Sequence, residues 1–241
     1  MYDKKMEEAT RVVMSEHPHK RVLPFTYNNT SYFIKRCISN GRNRFAKQNA
    51  HMAYLTEVYK IRLVNSRVPL APAIVLTGPD YFVMKASGRP LQRIVKEYPE
   101  DADEAYYKAG EALARLHLFG LHHGRPALRD IAWDHATRTV TFLDWENEMQ
   151  FFHVDARVLD LFLFIHSYFR EGWPGSHLLD QAIKGYRSVP GWNERLNELR
   201  HFIASHGVVF GICRHLIKTG WIDVVSVSKA EAYIHSLSSH I

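Results

Sequence analysis

The hydrophobic pattern changes character near Gly88-Arg89-Pro90-Leu91, and this change limits the folds open to the chain. Before it, short runs of β-branched and aromatic residues alternate with turn residues. RVLPFTY (21–27) and SYFIKR (31–36) flank Asn28-Asn29, which tolerate left-handed turn geometry. They are expected to form a β-hairpin with Lys35 near its end. AIVLTGPDYFVMKA (73–86) gives two more strands around Gly-Pro-Asp. Between the two pairs, residues 42–65 carry Met52, Leu55, Val58, Tyr59, Leu63 and Val64 in a helical stripe after position 50, with Phe45 ahead of it. A polar helix or arm occupies residues 1–20.

After the change, helical periods dominate. Residues 103–119 place Tyr106, Ala109, Leu113 and Leu116 on one face. TVTFLDW (139–145) reads as a strand. ARVLDLFLFIHSYF (156–169) is apolar nearly all round, as a buried central helix would be. Further helices are expected over 176–188, 192–217 and 226–238. GRPL itself reads as a linker. The expectation is therefore an α+β chain of two lobes: a β-rich N-lobe with one helix over 1–87, and a mainly helical C-lobe over 88–241.

The bulk numbers set outer limits. Lys and Arg number 31 against 25 Asp and Glu, a modest excess that suits anionic partners without choosing among nucleotides, RNA or an acidic membrane surface. Two cysteines form no disulfide framework or zinc spacing, and His51, His117, His122 and His153 show no helical metal pairing. The start, MYDKKMEEATRVV, lacks the apolar run of a secretory signal, so cytoplasm is the expected location. The apolar run VLDLFLFI is too short to span a bilayer.

Chemistry-bearing residues fall in a definite order. Lys35 ends the strand Y-F-I-K, and Glu57 lies in the following helix. The stretch HHGRPALRDIAWD (122–134) contains Arg125 and Asp130. FLDWENE (142–148) sets Asp144 at the end of a hydrophobic run. Asp160 sits inside the apolar helix, where a carboxylate without partners would be costly. It is expected to anchor the backbone of the His123-Gly124 loop.

With these residues the chain resembles the protein-kinase-like superfamily. It is most similar to its small bacterial members: lipopolysaccharide-core sugar kinases, aminoglycoside-type phosphotransferases and the atypical kinase of tRNA modification. The segment ALARLHLFGLHHGRPALRDIAWD followed by VTFLDWE matches their pattern L-x-x-L-H-x-x-x-x-x-H-G-D-x-x-x-x-N…I-D-[FW]. The resemblance covers roughly residues 21–170.

The resemblance implies ATP and Mg²⁺ as cofactors. Lys35 would grip the α- and β-phosphates, with Glu57 holding it by an ion pair. Asp144 would bind Mg²⁺, and Asp130, where the family usually has Asn, would be the second ligand. The hairpin tip at Asn29 takes the place of a glycine-rich loop, and the adenine would lie along residues 82–88, against Met84. The acceptor would be a hydroxyl of a lipopolysaccharide-core sugar, another small molecule or a protein side chain. Peripheral membrane contact and nucleic-acid binding are the remaining partner classes.

Arg125 departs from the pattern, standing where the family has its catalytic aspartate. An arginine keeps its proton and cannot act as a base. A positioned acid–base group is worth ~10²–10⁴-fold. In a loose phosphoryl-transfer transition state this is not the largest contribution, and Arg125 could stabilise developing charge on the transferring group. Alternatively Asp130, instead of holding metal, could act as the base if the loop Arg125-Pro126-Ala127 is bent unlike that of its relatives. The alternative is a pseudokinase that holds nucleotide and transfers nothing.

Overall fold

In a computed structural model of the chain, the described residues are 3–38, 50–147 and 153–237. Arg42, Arg44 and Lys47, which with Arg36 make a basic run in the sequence after Lys35, lie outside them. The chain forms two compact units. One comprises residues 1–87 together with Leu143–Glu146. The other comprises Gly88–Phe142 and Asn147–Ile241.

The N-terminal unit is built on a four-stranded antiparallel sheet of order β1-β2-β4-β3. Its strands are β1 (Val22–Tyr27), β2 (Thr30–Arg36), β3 (Ile74–Thr77) and β4 (Tyr81–Lys85). Asn28 and Asn29 both take positive φ in the two-residue turn joining β1 to β2, which suits the twist of the hairpin. Side chains alternate across the sheet. On one face Leu23, Phe25, Ile34, Tyr81 and Val83 pack with Met6 of α1 (Lys4–Glu16). Asp3 caps that helix by accepting from the Lys5 and Met6 amides.

Lys35 and Phe82, register partners, are both buried and alternate with Ile34 and Val83. Phe82 meets Tyr54 of α2 (Ala50–Arg67), with ring centroids 5.9 Å apart. The buried stripe of α2 is Tyr54, Glu57, Val58, Ile61 and Val64. Met52, Leu55 and Tyr59, expected in the stripe, are instead exposed. The helix is rotated because Tyr54 donates its hydroxyl to the carbonyls of Gly78 (2.8 Å) and Tyr81 (3.1 Å), and because Glu57 turns inward to a buried lysine.

The C-terminal unit holds a small sheet of order β5-β6-β7: β5 (Arg89–Pro90), β6 (Ile131–Asp134) and β7 (Thr139–Phe142). Around it lie α3 (Leu91–Glu97), α4 (Ala102–Leu118), α5 (Ala156–Arg170), α6 (His177–Arg187), α7 (Trp192–Ser205), α8 (Gly207–Leu216) and α9 (Ile222–Ser236). GRPL is not a linker but the start of this unit. Gly88 has positive φ, and a Cβ there would strike the Trp133 carbonyl. Gly110 of α4 and Gly185 of α6 likewise sit against backbone of the facing helix, which lets the two helices pack closely.

α5 is buried on nearly every side, as its sequence requires. The strand expected over 139–145 ends at Phe142, and the single helix expected over 192–217 breaks at His206. There, the His206 ring lies 2.9 Å from the Phe202 carbonyl, and the residue leaves helical geometry.

Candidate functional site

In the N-terminal unit three charged side chains converge. Lys35 Nζ donates to Glu57 Oε1 at 2.7 Å and to Asp144 Oδ1 at 2.8 Å. Lys35 and Glu57 are 6% and 1% exposed, so this is a buried ion pair. The Asp144 side chain is 29% exposed and reachable from solvent. Glu57 Oε2 is buried without a hydrogen-bond partner, which is costly in an interior.

Burial pulls the lysine pKa down, but Glu57, Asp144 and Glu146 together outweigh it and hold it above its ordinary value. Burial pushes Glu57 up, with Lys35 opposing. The cluster thus keeps a protonated lysine between carboxylates in a poorly solvated place.

Asp144 has φ of +62°, a left-handed conformation in which Asp is among the few side chains tolerated. It lies two residues beyond Phe142, the last residue of β7, where the chain leaves the strand and turns. Trp145 beside it is fully buried, and Glu146 forms a two-pronged pair with Arg21. Arg21 and Glu146 were missed in the sequence. The available clue was a second acid two residues beyond Asp144.

The remaining expected positions of this unit are separate features. Asn29 is at the β1–β2 turn, and Met84 is half-buried in β4, paired with Phe33 and Ile74.

In the C-terminal unit the His123-Gly124 loop is fastened to α5. Asp160 Oδ2 accepts from the His123 amide at 2.5 Å, and Oδ1 accepts from the Gly124 amide at 2.8 Å. Asp160 is therefore the loop anchor its position implied. Burial alone would raise its pKa. The His117 ring, with Nε2 3.5 Å away, and the His123 contacts outweigh burial and hold it below the usual carboxylate range.

Ser167 adds a third fastening, accepting from the Leu128 amide at 3.2 Å. It lies seven residues beyond Asp160, two helical turns along the same face. That spacing was legible but unread. His123 is fully buried, packs on Phe142 with ring centroids 5.6 Å apart, and accepts from the Arg125 amide at 3.3 Å.

Arg125 follows Gly124, which has positive φ. Its Nη2 lies 3.5 Å from Asp130 Oδ2, while Arg129 Nε lies 3.6 Å from Oδ1. Asp130 closes a 3₁₀ turn, Leu128–Asp130, just ahead of β6, and its side chain is 11% exposed. The loop therefore brings Arg125 and Asp130 together, with a guanidinium near each carboxylate oxygen.

Two other features are separate from these clusters. Asp101, Glu100 and His135 converge in a way that resembles a metal site. The Asp101 carboxylate, however, already accepts from Trp133 Nε1 at 2.8 Å and pairs with His135 and Arg138, which makes it a clamp on the β6–β7 hairpin. A pocket of about 810 Å³ lies between the start of α5 and α7, lined by His153, Asp155, Asn193, Asn197, His201 and His206.

Comparison with known proteins gives a fold. The chain is similar to a crystal structure of an aminoglycoside 3'-phosphotransferase of type VIII, with a TM-score of 0.52 at 14% identity over 82% of this chain and 100% of that one. The bifunctional kinase-methyltransferase WbdD is similar over 72% of this chain and 44% of that one, with a TM-score of 0.42 at 13% identity. An uncharacterized protein of Haemophilus influenzae is 28% identical over 152 residues, 61% of this chain and 62% of that protein. The match thus spans less than two thirds of that relative's length. No family model matches the chain. A small antiparallel-sheet unit and a larger helical unit, alike in structure to a phosphotransferase, define a protein-kinase-like bilobal fold.

Proposed function

We propose that the protein is an ATP- and Mg²⁺-dependent phosphotransferase acting on a hydroxyl acceptor. The observation that carries this reading is the buried Lys35 held between Glu57 at 2.7 Å and Asp144 at 2.8 Å in a protein-kinase-like fold. In this reading Lys35 binds the α- and β-phosphates and Glu57 orients it. The Asn29 turn covers the phosphates, and the segment around Met84 receives the adenine.

The donor chemistry fits a hard divalent cation: Asp144 offers carboxylate oxygen from a partly exposed position, and Asp130 is assigned as the second carboxylate. Mg²⁺, when bound, would supply neutralisation of phosphate charge. Arg125 cannot take a proton, so its assigned role is to counter negative charge on the transferring group. Alternatively Asp130, instead of holding metal, is assigned to accept the proton of the acceptor hydroxyl. The acceptor class is a sugar, another small molecule or a protein side chain. Use of ATP and two free cysteines fit a cytoplasmic location.

A second reading, a pseudokinase, is favoured by one observation: Arg125 in place of a base, with its guanidinium near Asp130. Thermal denaturation with ATP and Mg²⁺ tests the first half of the proposal. The account expects a nucleotide- and Mg²⁺-dependent rise in Tm that Asp144→Ala abolishes, and absence of any rise overturns it. Sensitive phosphate-transfer assays then separate the two readings. Transfer lost in Asp144→Ala supports the enzyme. Binding without transfer, in wild type and in Arg125→Asp alike, supports the pseudokinase.

A further inference from the structure

α8 is apolar on two sides. Its inner side is Phe210, 3% exposed, whose ring packs on Phe162 at 5.7 Å and on Phe202 at 5.9 Å. At about 100° per residue, Val208, Ile212, Leu216 and Val209 form a contiguous outer strip on a different side. These four are 79%, 56%, 36% and 44% exposed. The strip continues through Ile217, Trp221 and Ile222, at 41%, 71% and 54%. A run of exposed apolar side chains of this kind marks an interaction surface rather than ordinary solvated surface.

Its charge identifies the partner. From Gly207 to Ile222 the charged residues are Arg214 and Lys218, and the acid that follows, Asp223, is paired with Arg170 at 2.8 Å. Arg214 is bonded to Glu231, while Lys218 and His215 are exposed. No helix of the described residues is long and apolar enough to cross a membrane.

We propose that the α8 strip and the following turn through Ile222 dock on an anionic membrane surface and lie in its interfacial plane. Aliphatic side chains enter the acyl boundary, Trp221 sits at headgroup level, and Lys218 meets lipid phosphate. A second copy of the chain suits the strip less well. A two-fold contact sets the strip against itself and brings the two copies' Lys218 side chains to one seam, while the neighbouring acids Glu231 and Asp223 are already paired with Arg214 and Arg170. The inference stands apart from the phosphotransfer reading and uses none of its residues.

Co-sedimentation of the full chain with phosphatidylcholine vesicles, with and without phosphatidylglycerol, tests it. Binding is expected to the anionic vesicles and to weaken with added salt. Combined Val208→Ser, Ile212→Ser and Trp221→Ser is expected to reduce vesicle affinity at least about tenfold, with Tm unchanged because the side chains are exposed. Lys218→Glu gives a smaller loss, confined to anionic vesicles. Val12→Ser, which removes an apolar side chain 52% exposed elsewhere, leaves binding unchanged. Equal binding by the triple variant overturns the proposal. So does a wild-type protein that ignores vesicles but forms a dimer, by light scattering, that the triple variant does not form.

Discussion

The two units each bury an acidic residue and satisfy it in opposite ways. Asp160 of the C-terminal unit is fully buried, and its two oxygens accept from the amides of His123 and Gly124. Glu57 of the N-terminal unit is as deeply buried, but one oxygen meets Lys35 and the other has no hydrogen-bond partner. Backbone amides have no other use, so the Asp160 arrangement is complete as it stands and fixes a loop. The Lys35 cluster instead ends at a partly exposed carboxylate, Asp144, so its charges are not all enclosed by protein. One buried carboxylate is scaffold. The other is the one proposed to serve phosphate binding.

The largest effect is expected from removing the scaffold carboxylate. Asp160→Ala orphans two buried amides and leaves a cavity, a loss of about 3–5 kcal/mol in urea denaturation. Ser167→Ala, which frees the Leu128 amide alone, should cost only about 1 kcal/mol. Equal costs for the two would contradict the assignment of Asp160 as principal anchor.

Next in size is Lys35→Met. It strands Glu57 without its cation and should cost about 2–3 kcal/mol, less than a fully ionised orphan because Glu57 can take up a proton. Adding Glu57→Leu should recover most of that loss, since a well-packed apolar pair commonly equals a buried ion pair. Asp144 stays partly solvated in both variants. A double variant no more stable than Lys35→Met would show that the cluster is needed for the fold itself.

The mildest comparison uses pH. Burial raises Glu57, and in Lys35 the carboxylate neighbours outweigh burial to raise the lysine. Each such contribution is complete below the unfolded pKa and is lost as pH rises through the folded one. The N-terminal unit should therefore weaken as pH rises above the ordinary carboxylate range, and again above the ordinary lysine range.

Asp160 and Asp101 behave with the opposite sign. For Asp160, the His117 and His123 contacts outweigh burial, while Asp101 is lowered chiefly by the Trp133 indole hydrogen bond. Their contributions are present above the ordinary carboxylate range and are lost as pH falls through the folded pKa. Hydrogen exchange, corrected for its intrinsic pH dependence, should find the C-terminal unit weakening first in acid. Both units weakening in the same direction would break the contrast.

Much of this was legible in the sequence. Asn28-Asn29 marked the hairpin, and the all-round apolar α5 announced a central helix with one acid that had to be satisfied. Other features depended on tertiary partners. The buried stripe of α2 was misplaced because apolar periodicity counts only apolar residues, although Glu57 was already expected to face Lys35. The end of β7 at Phe142 was hidden because Leu143 and Trp145 have strand propensity, and the left-handed turn at Asp144 overrides it. The break at His206 rests on a local ring-to-carbonyl contact that no periodicity encodes.

The most direct test of the central claim is the affinity of Lys35→Met/Glu57→Leu for ATP with Mg²⁺, measured by titration calorimetry beside wild type. The account predicts a protein of near wild-type stability whose nucleotide affinity has fallen at least about a hundredfold, as expected for a lost charge-assisted phosphate contact. Unchanged affinity in that variant would contradict it, because the cluster would then be scaffold like Asp160.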